Sequence, residues 1–151
     1  MLEQTVFFVK PDSIQYEEEI FQYLQLKINK KSSDNIPLIQ SRGLVSMPAE
    51  GWMEFYKHLL KTYPEQLKNM AEYLAGKNID LAILAGDNII RRVKELVGPT
   101  RYEENPNWTI RGKWGPYELP HTIVHSSDIG EVEREMNLIK IYGLDENGTK
   151  I

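Results

Sequence analysis

Thr5-Val6-Phe7-Phe8-Val9-Lys10-Pro11-Asp12-Ser13 is the stretch whose reading decides the fold. Its first five residues are β-branched or aromatic and too few for a helix, so they read as a buried strand. Lys10-Pro11-Asp12-Ser13 then stops it with a turn signal. Tyr16 to Lys31 reads as a helix with Ile20, Tyr23, Leu24 and Ile28 on one side. Glu17, Glu18 and Glu19 stand at its start and Lys27, Lys30 and Lys31 at its end, the order that the helix macrodipole favours. Lys31-Ser32-Ser33-Asp34-Asn35 is a polar loop, and Pro37 to Met47 supplies a second strand with an interruption expected at Gly43.

Further along, Trp52, Phe55, Tyr56, Leu59 and Leu60 recur at helical spacing until Pro64 breaks the run. Leu67, Met70, Ala71 and Leu74 make another helix ending near Gly76, and Leu81 to Leu84 is a short apolar strand. Asn88 to Val97 is a helix closed by Gly98-Pro99. The segment from Pro99 to Pro120 has little periodicity; a loop of this length inside a domain is usually functional or disordered, and Trp108, Trp114 and Tyr117 favour the first. Thr122-Ile123-Val124 is the last strand, and Asp128-x-x-Glu131 a capping-box-like helix start continued by Val132, Met136 and Ile139. The polar tail after Tyr142 is expected to be loosely held. Two βαβ-type halves with antiparallel pairing and helices on one face give an α+β, ferredoxin-like, four-stranded sheet covered by helices. No repeat or linker interrupts it, so residues 1–151 read as a single domain.

Composition narrows the function. The 151 residues contain no cysteine, which removes disulfide frameworks, thiolate zinc sites and cysteine nucleophiles. A net charge of −4 speaks against a general nucleic-acid binder, so any anion is held by a few local cations in a pocket. No apolar run is long enough to span a membrane, and the first residues lack the pattern of a signal peptide, so a cytoplasmic location is expected. The triplets Asn107-Trp108-Thr109 and Asn147-Gly148-Thr149 then match the glycosylation pattern by chance.

There is no G-x-x-x-x-G-K-[ST] loop, no G-x-G-x-x-G after a strand, no H-R-D or D-F-G set and no G-x-S-x-G elbow, so bound phosphates would need side-chain donors. His125 stands at a strand end just before a helix, rigidly placed yet reachable. In an extended strand His121 and His125 lie roughly 13 Å apart, too far to share one metal ion. A lone histidine is more often structural; as a nucleophile it needs a partner that fixes its tautomer. Glu131 or Glu135 could provide a carboxylate and Ser127 a hydroxyl. Lys10 and Arg111 gain meaning together, as point-charge and forked donors to a polyphosphate.

Val9-Lys10-Pro11-Asp12, Leu96-Val97-Gly98-Pro99-Thr100, Thr109-Ile110-Arg111-Gly112 and His125-Ser126-Ser127-Asp128, in this order and at these separations, resemble a nucleoside diphosphate kinase. The resemblance spans about Thr5 to Ile139 and implies a ping-pong transfer through a phosphohistidine, with Mg²⁺ on the nucleotide phosphates. It implies nucleoside di- and triphosphates as partners, a hexameric or tetrameric homo-oligomer, and no need of membrane or nucleic acid. By position, His125 matches the histidine that takes the phosphate, Glu135 the carboxylate that orients it and Ser127 the nearby serine. Lys10, Thr100 and Arg111 match phosphate contacts, and Tyr56 resembles the aromatic on the mobile helix pair.

Departures from the family pattern define an alternative, a catalytically weakened relative that binds nucleotides or partner proteins. Lys94 replaces an arginine, keeping charge without the bidentate fork. Thr122 replaces an asparagine at the sugar and phosphate. The base-stacking phenylalanine has no clear counterpart, with Leu67 near its position and Tyr63 close by. Lys113-Trp114-Gly115 replaces the usual acidic residue after Arg-Gly, and the connection from the first helix to the second strand is longer.

Overall fold

The opening apolar run forms β1 (Leu2–Val9), the strand on which the other three are ordered. The structure, a computed structural model, describes residues 2–29 and 36–151. β2 (Ile39–Val45), β3 (Ile79–Asp87) and β4 (Val124–Ser126) complete one sheet in the order β2-β3-β1-β4, antiparallel at every step. The helices are α1 (Glu17–Asn29), α2 (Ala49–Phe55), α3 (Pro64–Leu74), α4 (Ile89–Val97), α5 (Ile110–Trp114) and α6 (Val132–Tyr142). This is the ferredoxin-like arrangement expected, in which β1 and β2 run parallel with β3 between them.

Helices cover both faces of the sheet, not one, because β1 is apolar on both sides. Phe7 and Val9 pack with Ile20, Phe21 and Leu24 of α1 and with Ile89 and Val93 of α4. Val6 and Phe8 point the other way, into Trp52 and Phe55 of α2, Leu67 and Leu74 of α3, and Ile139 of α6. A strand sealed on both faces reads as an unbroken apolar run, which is the pattern of Val6 to Val9.

Several boundaries move. A 3₁₀ turn occupies Pro11–Tyr16, so the first helix starts at Glu17, and Lys30 to Asn35, including the expected polar loop, lie outside the described residues. β2 is irregular between Ile39 and Ser41 rather than at Gly43. β3 is longer than its apolar run because its ladder with β1 extends to Leu2↔Asp87. The run from Trp52 to Leu60 divides into α2 and a 3₁₀ turn at Lys57–Leu59, and Pro64 opens α3 where its missing N–H costs nothing. The expected loop from Pro99 to Pro120 holds a 3₁₀ turn (Tyr102–Glu104) and α5.

β4 begins at Val124, not Thr122, because Ile123 has a φ of 70°. The Val124 N–H bonds to the Thr122 carbonyl at 2.7 Å, a tight turn in place of extended chain. No capping box forms at Asp128: α6 starts at Val132, and the Asp128 carboxylate is drawn to Lys94 instead. The tail after Tyr142 is pinned rather than loose. Leu144 bridges to Ser46 and to Lys150, and the Asp145 carboxylate accepts the N–H groups of Asn147 and Thr149. Among the described residues no helix is long and apolar enough to cross a membrane.

Candidate active site

His125 enters the site from β4, directly opposite Phe8. Its ring stacks on Phe8 at 4.8 Å, while Phe55 and Tyr56 meet it edge-on at 5.1 and 5.9 Å. These rings fix the plane of the imidazole, and a carboxylate fixes its spin. Nε2 faces Glu135 Oε1 and Oε2 at 3.1 and 3.2 Å. Of the two carboxylates open to His125 in the sequence, Glu135 is therefore the partner. Glu131 pairs with Arg134 at 2.8 Å.

Behind the pair stands Ser127, fully buried, donating its hydroxyl to Glu135 Oε1 at 2.7 Å and accepting the Val6 N–H at 3.0 Å. The backbone of β1 thus orients a serine, the serine a carboxylate and the carboxylate a histidine. Burial pushes the His125 pKa below its ordinary value, against the opposing pull of Glu135. For Glu135 burial works to raise the pKa, but His125 and the Ser127 hydroxyl hold it below the usual carboxylate range. A neutral imidazole that donates Nε2–H to a carboxylate satisfies both. Nδ1 makes no hydrogen bond among the described residues.

The side chains of Lys10, Tyr56, Lys94, Thr100, Arg111, Thr122, His125 and Glu135 all line one cavity of about 480 Å³. Lys10 continues the alternation of Val6 and Phe8, which places it on the same face as His125. Only 2 % exposed, it donates to Thr122 Oγ1 at 2.6 Å and to the Pro120 carbonyl at 3.2 Å. Burial, and then the charge of Arg111, hold its pKa well below the ordinary lysine value.

The Thr-Ile-Arg-Gly segment shapes the cavity wall. Thr109 caps α5 by accepting the Gly112 N–H at 3.0 Å, and Ile110 is buried in the core. A Cβ on Gly112 would lie 2.1 Å from the Pro106 carbonyl oxygen, so the close approach needs glycine. Arg111 donates to the carbonyls of Thr122, Gly98 and Val124 at 3.0, 2.9 and 3.0 Å. Three of its five N–H donors thus tie the wall together, and two remain for a ligand.

Lys94 is paired with Asp128 at 2.6 Å. Burial opposes ionisation of Asp128, but Lys94 holds its pKa below the ordinary value. The Thr100 side chain is exposed on the cavity wall, and its carbonyl accepts the Tyr117 hydroxyl at 2.7 Å. Tyr56 is buried with its hydroxyl unpartnered among the described residues, and burial pushes its pKa up.

Leu67 is a core residue and does not reach the cavity as a stacking group; Tyr63, 55 % exposed, lines it together with Leu119. Leu119 lies in the aperiodic segment before β4, where nothing in the sequence singles it out. Arg101, also on the cavity wall, was legible only as the residue following Gly-Pro-Thr. His121 is turned away by the break at Ile123, meeting Asp12 at 3.2 Å and the Tyr73 ring at 4.4 Å. Among the described residues no group of three His, Cys, Asp or Glu side chains could hold a metal ion.

The family model described as nucleoside diphosphate kinase matches residues 3–140. A nucleoside diphosphate kinase of Methanosphaera stadtmanae is 28% identical over 145 residues, covering 91% of this chain and 86% of that protein. The Aquifex aeolicus nucleoside diphosphate kinase superposes with a TM-score of 0.73 at 25% identity, covering 92% of this chain and 95% of the other. The Halobacterium salinarum nucleoside diphosphate kinase, solved in complex with CDP, gives a TM-score of 0.76 at 22% identity, covering 98% and 91%. Because the family model covers residues 3–140, which include every residue lining the cavity, the chain belongs to the nucleoside diphosphate kinase family of phosphotransferases.

Proposed function

We propose that the cavity binds the magnesium complex of a nucleoside triphosphate and that His125 takes its γ-phosphoryl group and hands it to a nucleoside diphosphate. The observation that carries this reading is the Nε2–Glu135 contact, because it leaves Nδ1 as the nitrogen with a free lone pair. Nδ1 attacks the γ-phosphorus, the bond to the bridging oxygen breaks, and its electron pair leaves on the β-phosphate of the departing diphosphate. The positive charge that develops on the ring is met by Glu135. In the second half a terminal oxygen of another nucleoside diphosphate attacks the same phosphorus and the P–N bond breaks, which restores the neutral imidazole.

Transfer of this kind asks the protein for in-line placement and for donors on the equatorial oxygens. Lys10, the two remaining donors of Arg111 and the unpartnered Tyr56 hydroxyl are suited to that task, with Thr100 and Lys94 at the edges. Magnesium comes with the substrate phosphates, since the cavity's Asp128 and Glu131 are each engaged by a cation. The reading extends to a homo-oligomer in the cytoplasm; the exposed edge of β2 and the exposed Trp108 support assembly. The intact Ser127–Glu135–His125 chain speaks against a weakened relative.

Incubation with γ-labelled ATP tests the proposal. An acid-labile, base-stable label on the wild type, absent from His125→Ala and discharged by GDP, is expected. No label on the wild type, or equal label on His125→Ala, ends it.

A further inference from the structure

The charges lining the cavity are almost all spoken for. Lys94 is paired with Asp128, and Arg134 with Glu131 and the carbonyls of Glu54 and Phe55. Lys10 is held by the Thr122 hydroxyl and the Pro120 carbonyl. Arg111 gives three donors to backbone carbonyls. Arg101 is different. Its side chain lines the same cavity, is exposed, and makes no hydrogen bond or ion pair among the described residues.

The backbone that carries Arg101 is fixed. The Asn105 side-chain amide donates to the carbonyls of both Pro99 and Arg101 at 2.8 Å, and Asn105 Oδ1 accepts the Thr109 hydroxyl at 2.9 Å. The Glu104 N–H adds a further bond to the Arg101 carbonyl at 3.2 Å. A side chain with all five donors uncommitted therefore leaves a rigid loop, next to Thr100, into a cavity whose two other guanidinium groups, Arg111 and Arg134, are largely engaged by the protein itself. A planar fork of donors matches the paired oxygens of a phosphate, which the point charge of a lysine does not.

We propose that Arg101 is a phosphate-binding residue of this enzyme, its guanidinium gripping the non-bridging oxygens of the nucleotide's polyphosphate. This rests on the phosphotransfer reading above and adds to it a residue outside the matched motifs. The grip is made with the polyphosphate and not with the base, so it serves every nucleotide alike.

The test uses Arg101→Gln and Arg101→Lys in the full chain. Arg101→Gln is expected to raise the ATP concentration for half-maximal labelling of His125 roughly tenfold, as loss of a charge-assisted bidentate contact should. Its dissociation constant for inorganic tripolyphosphate, read by calorimetry, should rise by about the same factor. Arg101→Lys should recover part of both losses. Weak inhibition by adenosine should be unchanged, as should the thermal midpoint, since the exposed side chain makes no hydrogen bond or ion pair among the described residues. Equal half-saturation and equal tripolyphosphate affinity in wild type and Arg101→Gln would overturn the proposal, and so would an equal loss for adenosine. Failure of the wild type to take label would sink the phosphotransfer reading alone; the tripolyphosphate comparison would still decide the role of Arg101.

Discussion

The neutrality of His125 comes from burial, and its direction from Glu135. The two effects oppose each other on its pKa, which gives Glu135→Gln a distinctive signature. The amide oxygen can still accept Nε2–H, but the charge that favours the imidazolium is gone. The maximal rate of phosphoenzyme formation should fall by roughly a hundredfold, the scale for removing one electrostatic stabiliser. The acidic inflection of that rate, already below the ordinary histidine value of about 6.5, should move further down. A rate–pH profile of the half-reaction checks both; an inflection that moves up would mean Glu135 does not stabilise the charged ring. Arg111 carries a second prediction at this scale. A lysine cannot reach the carbonyls of Gly98, Thr122 and Val124 together, so Arg111→Lys should lose stability as well as turnover. The expected loss is about 2–4 kcal/mol, read from urea unfolding, for hydrogen bonds made by a mostly buried charge. Unchanged stability would show that the three bonds are not what holds this wall.

At the level of elements, the segment between α4 and β4 is where geometry is most exacting. Gly98 has a φ of 89°, and a Cβ there would lie 1.8 Å from Asn105 Oδ1. Gly98→Ala should displace Asn105 and with it the carbonyls of Pro99 and Arg101, costing about 2–4 kcal/mol and weakening ATP binding together. Urea unfolding and half-saturation of labelling would report this, and loss of only one would separate fold from site. That Gly98-Pro99 ends a helix was legible, because glycine and proline act through local backbone geometry. The presence of four strands along the chain and the four short motifs were legible for the same kind of reason, as patterns set by near neighbours. The two-sided covering of the sheet followed from the double-apolar run of β1 but was missed, since periodicity does not tell which face a helix takes. The turn at Ile123 left no mark on the sequence: a β-branched residue at a φ of 70° is imposed by long-range bonds from Lys10 and Arg111. For the same reason α5 and the Lys94–Asp128 pair were hidden, the first in an aperiodic loop and the second across 34 positions' separation.

Across the whole molecule, His125 and Glu135 join the sheet to α6, so the groups proposed to do the chemistry also enter the acid stability of the fold. In the unfolded chain His125 would take up a proton below about pH 6.5, whereas the folded protein resists that proton. The unfolded state therefore binds more protons as the pH falls, and stability declines from about pH 6.5 toward the folded pKa of His125. Glu135 adds a loss in the same direction at lower pH: its folded pKa is depressed, so its contribution is present above the usual carboxylate value and disappears as the pH falls through the folded one. His125→Gln removes the first of these effects and weakens the second, since the Ser127 hydroxyl and Arg134 then act on Glu135 without the imidazole. Wild type should exceed the variant by most at pH 7, and its advantage should shrink between pH 6.5 and 5 by at most about 1.4 kcal/mol per pH unit, the slope of one proton. Urea unfolding of both proteins at pH 7, 6 and 5 measures the difference directly. His58 and His121 are common to both proteins and cancel in the comparison. A constant gap across that range would mean His125 titrates alike in the folded and unfolded chains, and the imidazole could not then owe its neutral state to the burial that the stacked rings impose.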